Sequence, residues 1–135
     1  MLLFILLKHF MAKRQITYYD QNLINALKKL PNPIIDEEHN LLIYLDDNRA
    51  RSNQSRFEHI VGYRHELTIK DIESIPEGIK TPFKYRKDKI RKRTYNYYLK
   101  RRGELKGLIK VSIVIDNKNE RKAKIKTIFI TRIVK

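Results

Sequence analysis

The sequence predicts an α+β fold in which helices come first and about four strands follow. Two observations support this prediction. Apolar residues recur at helical spacing in the first half of the chain, and from Phe83 onwards the hydrophobic period changes to two. The length of 135 residues fits one domain with a modest core, and no internal repeat or linker divides it.

The first ten residues contain a short apolar run, Leu2 to Leu7. A membrane-spanning helix needs about 20 apolar residues, so this run is too short to cross a bilayer. No basic residue precedes it and no small-residue cleavage site follows it, so it lacks the form of a signal peptide. We expect residues 1–10 to be a dispensable extension. The alternative is a short helix or strand that packs on the domain.

Residues 11–54 are expected to form one helix and one short strand. Asp20 is a candidate cap for a helix that runs to Leu30 and ends before Pro31 and Pro33. Its apolar positions are Leu23, Ile24 and Leu27. The run from Leu41 to Leu45 is apolar, β-branched and aromatic, and polar residues follow it, so it predicts a strand.

Residues 55–135 form the region in which we expect the functional domain, and it opens with a capping motif. Ser55 followed three residues later by Glu58 matches a capping box, which predicts a helix from about Arg56 to His65. Its core-facing residues would be Phe57, Ile60 and Val61. Gly62 weakens the last turn of this helix.

A second capping box is formed by Thr68 and Asp71. Isoleucines spaced by three follow it at positions 69, 72 and 75, which indicates a second helix. We expect Pro76 and Gly78 to end this helix.

Four segments with a period of two predict the strands. They are Phe83–Arg86, Tyr95–Leu99, Lys106–Asp116 and Ala123–Val134. In the third segment Ile109, Val111, Ile113 and Ile115 share one face, and Lys110 and Ser112 share the other. A turn at residues 117–120 predicts that the last two segments form an antiparallel hairpin.

Positive charge is concentrated in the second half of the chain. Residues 80–135 hold 20 Lys and Arg against 4 Asp and Glu, within a chain whose formal net charge is +15. The densest run comprises Lys84, Arg86, Lys87, Lys89, Arg91, Lys92 and Arg93. Since few acids compensate this charge, counterion release favours binding of a nucleic acid. The alternative is that the run is only a solvated face.

Tyrosines are interleaved with the basic residues, at positions 85, 95, 97 and 98. Tyrosine rings stack on unpaired bases, which favours RNA or single strands over duplex DNA. Half of these tyrosines are equally expected in the core.

Two histidines, His59 and His65, are the candidates for acid–base chemistry, since the pKa of histidine is about 6.5 when unperturbed. They are six residues apart, so they converge only if the helix ends near Tyr63. Either one could instead be a structural helix histidine. No role is assigned to His9 or His39.

Metal and cofactor chemistry are disfavoured. The chain has no cysteine, which excludes disulfides and thiolate ligands and fits a cytoplasmic location. The histidine spacing does not match a zinc site, and phosphate-binding glycine loops and carboxylate clusters are missing from the sequence. We therefore expect no metal, no small-molecule cofactor and no membrane partner.

A succession of short motifs then resembles a known family. In order they are His59-Ile60, Arg64-His65, the helix Asp71–Pro76, the break at Thr81-Pro82, a tyrosine-rich strand, the strand Val111–Ile115 and the final Thr127–Thr131. This order resembles the phage and mobile-element nuclease domains of the barnase–EndoU–colicin–RelE superfamily, over about residues 57–132. The sequence departs from the family at Glu66, where proline usually follows the Arg-His pair, and in a longer basic loop.

The resemblance implies helices on a curved antiparallel sheet and metal-independent cleavage of RNA. It matches His59 to the first helix histidine, Arg64 and His65 to the Arg-His pair, and Thr127 to the C-terminal threonine. It also implies a toxin or mobile-element effector, for which an acidic immunity or antitoxin protein would be a partner.

The expected chemistry is transesterification by the 2′-hydroxyl of RNA. His65 is the first choice for proton transfer, with His59 or Tyr97 as the second participant. Arg64 and a lysine of the sheet, Lys110 or Lys126, would neutralise the phosphate. Thr127 would donate a hydrogen bond to a phosphate oxygen.

Two alternatives remain. The chain could be a non-catalytic RNA- or DNA-binding module with structural histidines, or a toxin that acts only on ribosome-bound message, as in the RelE branch. The nuclease interpretation requires that the proposed site residues line one basic surface.

Overall fold

The chain folds around one curled, mixed β-sheet with helices on one side. The structure is a computed structural model that describes residues 21–48, 55–62 and 66–134. In these residues there are four helices: α1 (residues 21–28), α2 (Arg56–Gly62), α3 (Ile69–Glu73) and α4 (Ile75–Lys80). The α+β class is confirmed. The predicted extension, residues 1–10, lies outside the described residues.

The described sheet has six strands rather than about four. They are β1 (Ile34–Asp36), β2 (Leu41–Tyr44), β3 (Lys84–Lys87), β4 (Thr94–Lys100), β5 (Leu108–Ile115) and β6 (Lys122–Thr131), in the spatial order β1-β2-β6-β5-β4-β3. The predicted β5–β6 hairpin is confirmed. The sheet is mixed rather than wholly antiparallel, because β2 pairs parallel with β6.

The curl of the sheet brings its two ends together. Asp36 lies on β1 and Tyr97 on β4, with three strands between them in the sheet. The Tyr97 hydroxyl nevertheless donates a hydrogen bond to the Asp36 carboxylate. The strands therefore wrap around a common interior, which the core residues fill.

Helix α2 begins where the sequence predicts. The Ser55 hydroxyl accepts a hydrogen bond from the Glu58 amide at 3.1 Å, which caps the first turn. Phe57, Ile60 and Val61 are buried, as predicted from their spacing. Residues 63–65, which complete the predicted helix, lie outside the described residues.

The prediction that Pro76 and Gly78 end the following helix is wrong. The chain breaks at Ser74 instead, and α4 continues to Lys80. Pro76 then falls in the first turn of a new helix, where its missing N–H costs no hydrogen bond. A Cβ atom on Gly78 would lie 2.9 Å from Leu99 Cδ1, so the glycine permits close packing of α4 on β4.

The two faces of the sheet differ in chemistry. Register places Tyr97, Val111 and Ile128 side by side on the core face, where all three are buried under the helices. The neighbouring residues Asn96, Ser112 and Thr127 point to the opposite side, because side chains alternate along a strand. We call this opposite side the second face. None of the helices in the described ranges combines the length and apolar character that a membrane span requires.

Candidate nucleic-acid interface

A row of four polar side chains crosses the second face. Asp88 follows β3, and Asn96, Ser112 and Thr127 are register partners on β4, β5 and β6. Asn96 Nδ2 donates to Asp88 Oδ1 at 3.1 Å, and Ser112 Oγ donates to Asn96 Oδ1 at 2.6 Å. We call these four residues the polar row. Three of them are joined by hydrogen bonds, and the chain of bonds stops beside Thr127.

Thr127 Oγ1 is buried and has no hydrogen-bond partner in the part of the chain that the structure describes. Leaving a buried hydroxyl unpaired costs about 1–3 kcal/mol. A ligand that reached this buried group would supply the missing partner. The expected role of Thr127, which is to hold a phosphate oxygen, stays a prediction.

Lys126 lies beside Thr127 at an irregularity of the sheet. Ser112 pairs with Thr127 but Ile113 pairs with Ile125, so Lys126 is the extra residue of a β-bulge. Burial, followed by the nearby charges of Arg91 and Arg56, lowers the pKa of Lys126 from its ordinary value. Arg56 Nη1 also donates to the Lys126 carbonyl oxygen at 2.8 Å. Lys126, Arg56 and Arg91 therefore lie near one another, with the Asp88 carboxylate as an opposing charge, and Lys126 is the neighbour of Thr127 in the chain.

Further predicted binding residues lie on the second face by register. Arg86 pairs with Asn96, and Lys84 pairs with Tyr98, which in turn pairs with Lys110. Lys110 Nζ is 5.7 Å from the ring centroid of Tyr98 and 5.3 Å from that of Phe129. These cation–π contacts hold the Lys110 charge over the sheet.

The basic loop between β3 and β4 is organised by Asp88. Asp88 Oδ2 accepts hydrogen bonds from the amides of Ile90 and Arg91 at 3.1 and 2.9 Å. The Arg91 amide, then the Asn96 side chain and the Ile90 amide, lower the pKa of Asp88 to about 2. The loop therefore presents its exposed cations, Lys89, Arg91, Lys92 and Arg93, in a fixed turn.

Tyr97 does not belong to this interface, which corrects its expected role in proton transfer. It is fully buried on the core face, whereas Thr127 is on the second face. Burial and the hydrogen bond to Asp36 raise the pKa of Tyr97. The physical reason is alternation along β4, which directs residues 96 and 98 towards the second face and residue 97 towards the core.

The histidine motif is described only in part. His59 is half-buried in α2 and follows Arg56 by three residues, so the two share one side of the helix. Helix α2 packs against β6. Arg64 and His65 lie outside the described residues, and their roles stay predictions.

Sequence reasoning missed a second group of polar residues, formed by Asp36 and His39. His39 Nδ1 is 2.8 Å from Asp36 Oδ2, and Asp36 is almost completely buried. An acid three residues before a histidine was the available signal. It is weak, because nothing local indicates that Tyr97 will approach from the other end of the sheet.

Within the described ranges, no three His, Asp or Glu side chains come together in a way that could hold a metal ion. Comparison of the chain with protein-family models, curated proteins and solved structures finds no match. The interpretation of the interface therefore depends on its geometry and charge.

Proposed function

We propose that the protein is a metal-independent endoribonuclease that binds RNA on the second face of the sheet. The main supporting observation is the unpaired, buried Thr127 hydroxyl beside the cations of Lys126, Arg56 and Arg91. A phosphate oxygen would accept a hydrogen bond from this hydroxyl, and the negative charge of the phosphate would neutralise the cations.

The surrounding charges support a polyanion rather than a single small anion. Lys84, Arg86 and Lys110 lie on two neighbouring rows of the same face, so cations extend from β3 to β6. Each phosphate that they neutralise would release counterions, which favours binding of a nucleic acid.

In the proposed reaction the 2′-hydroxyl of RNA attacks the adjacent phosphorus, and the bond to the 5′-oxygen of the next nucleotide breaks. His65 and His59 are the proposed pair for proton transfer, since Tyr97 is buried on the other face. Lys126 and Arg56 would stabilise the charge on the pentacoordinate phosphate, and Thr127 would donate a hydrogen bond to one of its oxygens.

The test is Thr127→Val, which removes the hydroxyl and keeps the branched shape. A hydrogen bond to a charged group contributes about 1.5–3 kcal/mol, so we expect cleavage of a fluorescent RNA to fall about 10- to 100-fold. Thermal stability should stay equal or rise, because valine leaves no unpaired hydroxyl buried.

Thr131→Val is the matched control. Thr131 is on the same strand, but its hydroxyl already has a partner, because it donates a hydrogen bond to the Ile133 carbonyl oxygen near the surface. This variant should cleave at the parental rate. If both threonine variants cleave RNA at the wild-type rate, the assignment of Thr127 to the site is wrong.

The catalytic histidines are tested separately by His65→Ala and His59→Ala. Proton transfer typically contributes about 10²–10⁴-fold, so the His65 variant should lose cleavage and keep its affinity for RNA. Wild-type cleavage should persist with a chelator and leave a 2′,3′-cyclic phosphate.

The alternative is a non-catalytic RNA-binding module. It is favoured by the composition of the polar row, which holds two hydroxyls, one amide and a single carboxylate rather than two proton-transfer groups. Salt-sensitive RNA binding without cleavage by the wild-type protein would establish this alternative.

A further inference from the structure

A cavity of about 450 Å³ opens on the core face of the sheet, on the side opposite the polar row. Its volume lies within the range of ordinary ligand pockets, about 300–1,000 Å³. The residues that give it chemical character are His39, Tyr85, Tyr95, Lys87, Arg93 and Glu120. The RNA-cleaving reaction proposed above uses none of these side chains.

Parallel rings form one wall of the cavity. The His39 ring stacks on Tyr85 with centroids 3.7 Å apart and an interplanar angle of 28°. Tyr85 and Tyr95 are also nearly parallel, with centroids 5.5 Å apart and an angle of 8°. Both tyrosines are only partly buried. Because these rings stack on one another, an unpaired base can extend the stack at its outer ring, Tyr95.

Buried hydrogen bonds hold this wall in place. Asp36 Oδ1 accepts from the His39 amide at 3.2 Å, and its Oδ2 pairs with His39 Nδ1. Oδ2 also accepts the hydrogen bond of the Tyr97 hydroxyl. Because Nδ1 is engaged, Nε2 is the ring nitrogen that remains for a ligand. A site that is already ordered loses little conformational entropy when it binds.

Charged groups flank the rings. Lys87 is the register partner of Tyr95, and both Lys87 and Arg93 are exposed at the cavity. Cations beside a stacking surface fit a phosphate next to a base. Glu120 adds a carboxylate that can accept hydrogen bonds from the amino groups of a base.

The edge of the sheet connects this cavity with the second face. Along the edge strand β3, Lys84 and Arg86 point to the second face, whereas Tyr85 and Lys87 point to the core face. In the loop that follows, the charge of Arg91 lowers the pKa of Lys126, whereas Arg93 lines the cavity. A single strand that crosses this edge would meet cations on both sides.

We propose that the cavity binds one unpaired nucleotide, with its base stacked on Tyr95 and its phosphate near Lys87 and Arg93. The proposal rests on the proposed function in so far as the nucleotide belongs to the same RNA. Binding in the cavity does not itself require cleavage.

The experiment uses a short single-stranded oligoribonucleotide with 2′-O-methyl groups, which prevent cleavage, and one 2-aminopurine base. We expect stacking in the cavity to quench its fluorescence. Base–aromatic stacking contributes about 1–3 kcal/mol per base, so Tyr95→Leu should weaken binding roughly tenfold and lose the quenching. Tyr95→Phe keeps the ring and should behave as the wild type.

Lys87→Ala and Arg93→Ala test the cavity even if Tyr95→Leu does not fold, because both side chains are exposed and their removal should not disturb the core. Each should weaken binding of the probe with little change in melting temperature. Unchanged affinity and quenching in Tyr95→Leu, or in both exposed variants if Tyr95→Leu does not fold, would overturn the proposal. Failure of the nuclease proposal gives a different result: the wild-type protein would quench the 2-aminopurine fluorescence but would cut no RNA.

Discussion

At the scale of single residues, Asp88 links the basic loop to the polar row. One of its oxygens accepts from two loop amides, and the other accepts from Asn96. Three hydrogen bonds to the charged form explain why the pKa of this carboxyl is depressed although the group is near solvent. Protonation should therefore loosen the loop and the row together.

Asp88→Asn tests this role through the pH dependence of stability. The pKa of Asp88 falls from its ordinary value of 3.8 to about 2 in the folded protein. Its stabilising contribution is therefore fully present above about pH 4 and is lost as the pH falls to about 2. In urea unfolding, the variant should be less stable than the wild type at pH 7, and the difference should shrink towards pH 2.

Asp46→Asn is the control for this experiment. Asp46 lies 3.8 Å from Lys124 in an exposed ion pair, and such pairs contribute little. The control should follow the wild-type curve at every pH. A constant difference between Asp88→Asn and the wild type from pH 7 to pH 2 would contradict the assigned pKa.

At the scale of elements, a buried ion pair ties helix α3 to the end of strand β4. Arg101 Nε and Nη2 donate to the two oxygens of Asp71 at 3.0 and 2.8 Å, and both side chains are almost fully buried. Asp71 also accepts from the Thr68 amide and hydroxyl, which completes the predicted capping box. Arg101 thus serves the fold, although the sequence places it in a basic run.

Arg101→Met should destabilise the protein by about 3–5 kcal/mol, because it leaves the Asp71 carboxylate buried without its charged partner. The measurement is urea unfolding at neutral pH. Arg102→Met is the matched control, since Arg102 is exposed and the net charge changes equally. A loss below about 1 kcal/mol for Arg101→Met would show that the pair contributes no more than a surface ion pair.

At the scale of the whole molecule, the excess of positive charge is divided between the two faces of the sheet. Lys84, Arg86 and Lys110 are on the second face, whereas Lys87 and Arg93 are at the core-face cavity. The β3–β4 loop, which contains Arg93, joins the two faces at the edge of the sheet. RNA affinity should therefore depend on that loop more than on net charge alone.

Replacing Arg91, Lys92 and Arg93 by alanine tests this dependence. For a single strand, each phosphate contact contributes about 0.7 to the slope of log affinity against log salt concentration. The magnitude of this slope should therefore fall by about 2 if all three side chains contact phosphates. The control replaces Lys28, Lys29 and Lys70, which are exposed on or next to helices α1 and α3, and changes the net charge equally. Equal slopes for the two triple variants would mean that the loop is only a solvated face.

Local patterns predicted much of the fold and the face on which some candidate residues lie. A hydrophobic period of 3.6 indicates the buried side of a helix, and a period of 2 indicates the buried side of a strand. These periods predicted helices α1 and α2 and the β5–β6 hairpin. The same alternation placed Lys110 and Ser112 on one face. Thr127 lies on that face with an unpaired hydroxyl, and its role as a phosphate ligand stays a prediction.

The tertiary structure alone decided which residues meet across the chain. Alternation shows that a strand has a buried face but does not identify its partner, so the parallel β2–β6 pairing and the three-residue strand β1 were not predictable. The curl of the sheet then brought Asp36 to Tyr97, which turned an expected catalytic tyrosine into a core residue. The bulge at Lys126 likewise depends on register with β5, and burial there, together with cations from α2 and the β3–β4 loop, determines the lowered pKa.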